Sequence, residues 1–169
     1  MIRPTEPSET PALVELARAT GVFKPSEVTA LREVLDDYHD RERALGHRCV
    51  TLEVAGCIAG FAYYAPSAMA ERGWYLWWIA VDPGLQARGL GTTLLRHAEG
   101  EMDEAGARLL LVETSSLPRY EPTRRFYLGR GYETYAVLRD FYADNDDMVV
   151  FSKRFDSPPS ASPGPDDRP

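Results

Sequence analysis

The spacing of apolar residues changes period several times along the chain, and each change predicts a new element. Ile2 to Pro7 has the character of a short first strand. Thr10-Pro11 reads as a helix N-cap followed by proline at the first helical position, with Gly21 as the stop. Leu13, Val14, Leu16 and Ala17 give that helix its apolar side. Ser26 is the expected cap of a second helix, in which Val28, Leu31, Val34, Leu35 and Tyr38 step by three and four and define one buried face. From Arg48 the period becomes two: Val50, Leu52 and Val54 alternate with Cys49, Thr51 and Glu53. Ala55-Gly56 then makes a turn, and Cys57 to Tyr64 returns as a second strand that Pro66 ends.

The stretch Trp74 to Glu101 organises the remainder. Trp74 to Val81 is apolar almost throughout, as expected of a strand covered on both faces. A glycine-rich connection, Asp82 to Gly89, leads into a helix whose buried stripe is Leu90, Leu94, Leu95, Ala98, Met102 and Ala105, with Gly106 as its stop. Arg108 to Val112 is a second continuous apolar run. A helix joining two buried strands is a βαβ unit with the strands parallel. Pro122 opens a short helix, Thr123 to Arg130, closed by Gly131. Tyr132 to Tyr142 and Met148 to Phe155 then read as an antiparallel pair. The order αα–ββ–βαβα–ββ defines an α/β domain, residues 1–155, around a mixed, mostly antiparallel sheet with one parallel pair flanked by helices. Residues 156–169, rich in Pro and Ser, are expected to be disordered.

Composition narrows the function. The 169 residues carry a net charge of −7, which argues against nucleic acid as a partner, since that footprint is basic. Cys49 and Cys57 have neither metal spacing nor a disulfide framework, and both are expected to be buried free thiols in a reducing compartment. No run fits a signal peptide or approaches the roughly 20 apolar residues of a membrane helix, so a soluble, cytoplasmic protein without membrane contact is expected.

A strand that delivers a glycine-rich turn to a helix start suits a phosphate, because the first N–H groups of a helix lack acceptors and its dipole is positive there. A P-loop needs GxxxxGK followed by Ser or Thr, and no Lys follows these glycines. A dinucleotide turn needs GxGxxG tight against the strand end, yet the eight-residue connection Asp82 to Gly89 carries the first of these glycines only at its end, and Leu94 stands where the third belongs. Gln86-Ala87-Arg88-Gly89-Leu90-Gly91 instead fits Q/R-x-x-G-x-G/A, preceded by Val-Asp-Pro. One strand later, Thr123 to Tyr132 fits A-x-x-F-Y-x-x-x-G-F/Y with Thr at the Ala position. The two motifs, in this order, resemble the GNAT superfamily of acyl-CoA-dependent N-acyltransferases over roughly Ile2 to Phe155. Many relatives carry Asn six residues before the Phe; here the position is Tyr120, and no Asn-type contact carries over.

The resemblance implies a fold whose central parallel strands splay apart around acetyl-CoA as cosubstrate, with no metal. It implies pantetheine pairing with the backbone of Ile79, Ala80 and Val81, the last also a donor to the developing oxyanion. Pyrophosphate would meet N–H groups from Ala87 through Gly89, Leu90 and Gly91 to Thr92, with Gln86 and Arg88 as side-chain partners. Tyr127 matches the tyrosine that protonates the leaving thiolate. Glu113, at a strand end, is either the general base, direct or through water, or an ordinary hydrogen-bonding carboxylate; Tyr75 is the alternative base. The expected reaction is acetyl transfer to a primary amine of a small molecule or peptide, by direct attack in a ternary complex. A non-catalytic acyl-CoA-binding or regulatory module is the competing reading, separated by thiol release from acetyl-CoA across a panel of amines.

Other candidates read more simply. Asp82 shapes the turn before Pro83. His39, His47 and His97 sit on helices or helix edges, away from catalysis. Asp144, Asp146 and Asp147 resemble part of a calcium loop that lacks its Gly and terminal Glu. Arg119, Arg124, Arg125 and Arg130 either contact phosphates or balance acidic surface. The aromatics of Trp74 to Trp78, with Phe23 and Tyr38, either build core or line an acceptor pocket. Homodimers are common in the family, and no feature fixes one here.

Overall fold

The computed structural model describes residues 1–156. All of the expected tail except Asp156 lies outside them. The elements are β1 (Ile2–Pro4), α1 (Thr10–Ala19), α2 (Pro25–Asp40), β2 (Arg48–Val54), β3 (Cys57–Pro66), β4 (Gly73–Val81), α3 (Leu90–Glu104), β5 (Leu109–Ser115), α4 (Glu121–Leu128), β6 (Glu133–Ala143) and β7 (Asp146–Arg154). The described strands form one sheet in the order β1-β2-β3-β4-β5-β7-β6. Every pair is antiparallel except β4 and β5, the two strands joined through α3.

Both faces of the central strands are covered, while the edge strand β6 is exposed along nearly its whole length. Leu94, Leu95, Ala98 and Met102 of α3, with Tyr127 of α4, pack on Val50, Leu52, Tyr64, Trp74, Leu76 and Val112. On the opposite face Leu13 of α1 and Leu31 and Leu35 of α2 pack on Cys49, Phe61, Tyr63 and Ala80. Covering both faces removes the inside–outside meaning of the period-two pattern in β2: Cys49 and Thr51 are as buried as Val50 and Leu52. The polar one, Thr51, is tolerated because its hydroxyl meets Thr5 Oγ1 at 2.9 Å and donates to Glu9 at 3.2 Å.

Several helix-end expectations are corrected. Thr10 does not cap α1; it lies inside the helix, and its buried hydroxyl has no partner. A preceding 3-10 turn, Pro7–Glu9, makes the entry, and Glu9 accepts the Glu6 N–H at 2.8 Å. Ser26 likewise lies within α2, whose N-cap is Lys24; the Lys24 N–H donates to Glu27 at 2.6 Å. At the end of α3, Ala105 is exposed rather than part of the stripe, since the helix stops at Glu104. Of the two thiols only Cys49 is buried, and burial pushes it up to about 12; Cys57, next to the hairpin turn, is exposed. That turn needs positive φ at both central residues, and Ala55 and Gly56 supply 50° and 78°. No helix among the described residues is long and apolar enough to cross a membrane.

Two irregularities of β4 position the site. Its pairing with β3 shifts from Tyr63↔Trp78 to Tyr64↔Leu76, leaving Trp77 as an extra, unpaired residue. A bulge of this kind bends a strand and increases its twist. It also breaks side-chain alternation: Leu76 and Ile79 both belong to the α3 face and Trp78 to the α1/α2 face, so Trp77 and Trp78 project to the same side. Their ring centroids lie 6.5 Å apart. The second irregularity is that β4 pairs with β5 only at Gly73↔Leu109, Trp74↔Leu110 and Tyr75↔Leu111. Beyond that point β4 stays with β3 as far as Val81↔Gly60, while β5 stays with β7 as far as Ser115↔Met148. The sheet opens between them.

The β3–β4 spacing near the opening is tight. A Cβ added at Gly60 would lie 2.6 Å from the Ala80 carbonyl oxygen and 3.0 Å from Leu94 Cδ1. Gly60→Ala is therefore expected to cost about 1–3 kcal/mol, read as a lowered midpoint in chemical denaturation. An unchanged midpoint would show that this contact does not limit strand spacing.

Candidate active site

The opening is the mouth of a cleft of about 570 Å³. One wall is the backbone of β4. Asp82 N–H donates to Ala59 O at 2.9 Å. In an antiparallel ladder every second residue bonds to a given neighbour, so Ala80 and Trp78 also face β3. Ile79 and Val81 therefore turn their N–H and C=O groups toward the side that β5 has left. Apart from the Val81 C=O, which a side chain of the following loop engages, they are free edge groups inside a sheet among the described residues.

The floor of one end is the glycine-rich connection. Asp82 starts it by accepting the Gly84 N–H at 2.7 Å, the turn-shaping role expected of it. Ala87 at φ 61° and Gly89 at φ 79° then bring successive N–H groups round to one concave side. The first bond of α3 runs from Thr93 N–H to Gly89 O at 3.0 Å, so the N–H groups of Leu90, Gly91 and Thr92 ahead of it have no intrahelical acceptor. Gly91 is held close: a Cβ there would be 3.3 Å from Phe126 Cε2. At Gly89 a Cβ would meet nothing within 4 Å, so glycine serves its positive φ there and leaves space over the N–H groups.

Of the expected cofactor residues, Ile79, Ala80, Val81, Gln86, Ala87, Gly89, Leu90, Gly91 and Thr92 all line this cleft. Arg88 does not; it is exposed on the outside of the loop. The Gln86 side chain donates to Val81 O at 3.1 Å and so ties the loop to the end of β4. Among the arginines left open by the sequence, Arg130 is the one brought to the cleft. Its Nε and Nη2 donate to Thr92 Oγ1 at 2.9 and 2.5 Å, and its guanidinium lies 3.7 Å over the Phe126 ring. That fixes a positive charge beside the first turn of α3. Arg124 is used internally, donating to Ser115 O and Leu117 O, while Arg125 pairs with Glu121 and Arg119 lies over Tyr120.

Tyr127 and Glu113 line the same cleft. The Tyr127 ring is packed against Phe126, Tyr132 and Phe151. No hydrogen bond engages its hydroxyl among the described residues, and burial pushes its pKa up, so it keeps its proton at neutral pH. Glu113 follows Leu111 on the α1/α2 face of β5, opposite the face of Val112 and Tyr127. It is exposed where it lines the cleft, has no ion pair among the described residues, and its carboxyl is pushed above the usual carboxylate range by partial burial. Thr114, a residue no sequence pattern singled out, adds a buried hydroxyl without a partner to the lining.

The remaining candidates have structural employment or lie elsewhere. His47 Nδ1 meets Tyr63 Oη at 2.6 Å and His97 pairs with Glu101 at 3.2 Å; neither they nor His39 line the cleft. Asp146 is bound to Lys24 at 2.5 Å and to the Ser115 hydroxyl, and Asp147 accepts the Asp140 N–H at 2.9 Å. Among the described residues no cluster of three or more His, Cys, Asp or Glu is arranged to hold a metal.

The Acetyltransferase (GNAT) family matches residues 12–132 of this chain. A GNAT-family protein from Desulfovibrio desulfuricans, solved by crystallography, is 34% identical with a TM-score of 0.86, covering 91% of this chain and 98% of its own. The chain belongs to the GNAT family of acetyltransferases, enzymes of acetyl-CoA-dependent acetyl transfer. Two further structures share the fold. The ribosomal-protein-S18-alanine N-acetyltransferase of Escherichia coli is 21% identical (TM-score 0.73, covering 91% of this chain and 92% of that one). YncA of Salmonella typhimurium, solved with its cofactor acetyl-CoA, is 17% identical (TM-score 0.75, covering 99% and 98%). No curated protein matches the chain.

The raised Glu113 carboxyl has a consequence for stability. A group whose folded pKa lies above its unfolded value favours folding below the unfolded pKa, and this contribution is lost as pH rises through the folded pKa. Glu113→Gln removes the ionised form. It is expected to raise the melting temperature at pH 7–8, with the gain vanishing below about pH 4. A gain independent of pH, or a loss at neutral pH, would mean that the carboxylate has a favourable partner.

Proposed function

We propose that the chain transfers an acetyl group from acetyl-CoA to a primary amine by direct attack within a ternary complex, the two substrates entering the cleft from opposite faces of the sheet. One observation carries this reading. Where β4 and β5 part, the N–H cradle and Tyr127 belong to the α3/α4 face, and Glu113 and the Trp77–Trp78 pair to the other.

On the cosubstrate side, the residues present fit a pyrophosphate-bearing thioester. Leu90, Gly91 and Thr92 offer free N–H groups at the positive end of α3, Arg130 adds a fixed charge, and Ile79 and Val81 offer the edge of β4 to an extended amide-bearing chain. Acetyl-CoA supplies the activated acetyl group. Val81 N–H is the donor suited to the negative charge that develops on an acyl oxygen.

The proton inventory assigns the side chains. A carbon–nitrogen bond forms and the carbon–sulfur bond breaks; the attacking nitrogen gives up a proton, and the departing thiolate takes one up from water. A free thiol titrates near 8.5 and tyrosine near 10, and burial moves Tyr127 further up. Full transfer from Tyr127 to the thiolate is therefore uphill, and its task is to donate a hydrogen bond to the departing sulfur. A lysine-like amine titrates near 10.4, so only about one molecule in a thousand is neutral near pH 7.4. Glu113 receives the ammonium form; the amine loses that proton to water before it attacks. Glu113 then accepts, directly or through water, the proton of the acidic N–H formed on attack, and its raised pKa makes it the better base.

Tyr127→Phe is expected to lower kcat at least tenfold with little change in the dissociation constant of CoA measured by calorimetry. Unchanged turnover would remove Tyr127 from the reaction.

A further inference from the structure

The α1/α2 side of the cleft carries aromatic surface and little available charge. Tyr75 and Trp77 stack with centroids 5.1 Å apart and planes 25° apart, and Trp77 stands 47% exposed because the bulge turns it outward. Phe23 and Tyr142 line the same end.

Two carboxylates line the cleft among the described residues, Glu27 and Glu113. Glu27 is already answered. Its Oε2 accepts the Tyr120 hydroxyl at 2.7 Å and the Lys24 N–H at 2.6 Å, and it sits in the first turn of α2 at the positive end of the helix. The Lys24 ammonium is committed to Asp146 at 2.5 Å and lies 4.8 Å over the Tyr142 ring. Of these two carboxylates, Glu113 has neither a side-chain hydrogen bond nor an ion pair among the described residues. A smaller depression of about 330 Å³ on the far side of Trp77 and Trp78 adds no free charge, since its acids Asp37 and Glu42 are bridged to Arg41 at 3.0 and 3.3 Å.

One unanswered carboxylate beside a flat aromatic wall is the complement of one ammonium carried a few bonds from a flat or apolar group. Additional ammonium groups would leave water for rings already stacked on one another, with no carboxylate to receive them. Resting on the amine acetyltransferase reading above, we infer that the acceptor is a monocationic arylalkyl-type amine: its ring lies against Tyr75 and Trp77, and its ammonium meets Glu113. Trp77 is then a specificity-determining residue. The same chemistry is offered by a free arylalkylamine and by a peptide amino terminus that begins with an aromatic residue, and the assay separates the two sources.

The full-length protein is assayed with acetyl-CoA by thiol release, with the acetylated product identified by mass spectrometry. The acceptors are phenethylamine, tryptamine, a phenylalanine-initiated tripeptide amide, spermidine and kanamycin. At least one of the first three is expected to exceed spermidine and kanamycin at least tenfold in kcat/KM, and which one does so identifies the source. Trp77→Ala is expected to raise the KM of that acceptor at least tenfold, with Trp77→Phe restoring most of it and CoA affinity by calorimetry unchanged in both. Spermidine or kanamycin equal to or better than the aromatic amines overturns the inference and leaves the transferase reading standing. An equal response of every amine to Trp77→Ala also overturns it. If CoA binds and no amine accelerates thiol release, the transferase reading falls with it.

Discussion

The structure depends on a hydrogen-bonded ladder that stops early. β4 and β5 share three residue pairs at the end where they meet, then part, and each keeps its other neighbour. Free backbone groups inside a sheet are costly unless something pairs with them. Here the edge they form is flanked by the N-terminus of α3 and the hydroxyl of Tyr127, so in the proposed reading the groups the sheet leaves unpaired are those an extended, amide-bearing ligand satisfies. The bulge at Trp77 lies two residues past the last β4–β5 pair. One extra residue thus accompanies the separation of the strands and, by breaking alternation, places two tryptophans on the acceptor face.

The electrostatics divide along the same plane. On the α3/α4 face the partial charges are positive and rigid: helix N–H groups, a loop with two left-handed residues, and Arg130 fixed by Thr92 and Phe126. On the α1/α2 face the available charge is a single carboxylate with a raised pKa among aromatic rings. In the proposed reading, a multiply charged phosphate ester and a cationic amine are therefore drawn to opposite sides of one opening. An overall charge of −7 obscures this, because acidic groups near the site are engaged internally: Glu27 ties α2 to the turn before α4 through Tyr120, and Asp146 ties Lys24 at the start of α2 to Ser115 of β5.

The apolar periodicity made the strands, the parallel pair and the helices legible, because burial on two faces leaves long apolar runs and amphipathic stripes. The loop and Tyr127 were legible through fixed spacing, since glycines at Gly89 and Gly91 answer local backbone needs. Helix caps were less so: Thr10 and Ser26 have capping side chains, yet acidic groups three residues into the turn at Glu9 and Glu27 take those roles. Arg130 is one of four similar arginines in the sequence, and only the packing of α4 against α3 brings it to Thr92. The bulge at Trp77 left no mark in a run that is apolar on either register, and the orphan hydroxyl of Thr114 depends on long-range packing.

In the proposed reading, the unpaired edge of β4 and the first turn of α3 together hold the cosubstrate. This is tested most directly by following backbone amide resonances of the labelled protein during titration with CoA. Saturable shifts concentrated at Ile79, Val81 and Leu90 to Thr92 are the predicted result. Saturable binding that leaves those amides unmoved and perturbs another surface would contradict it.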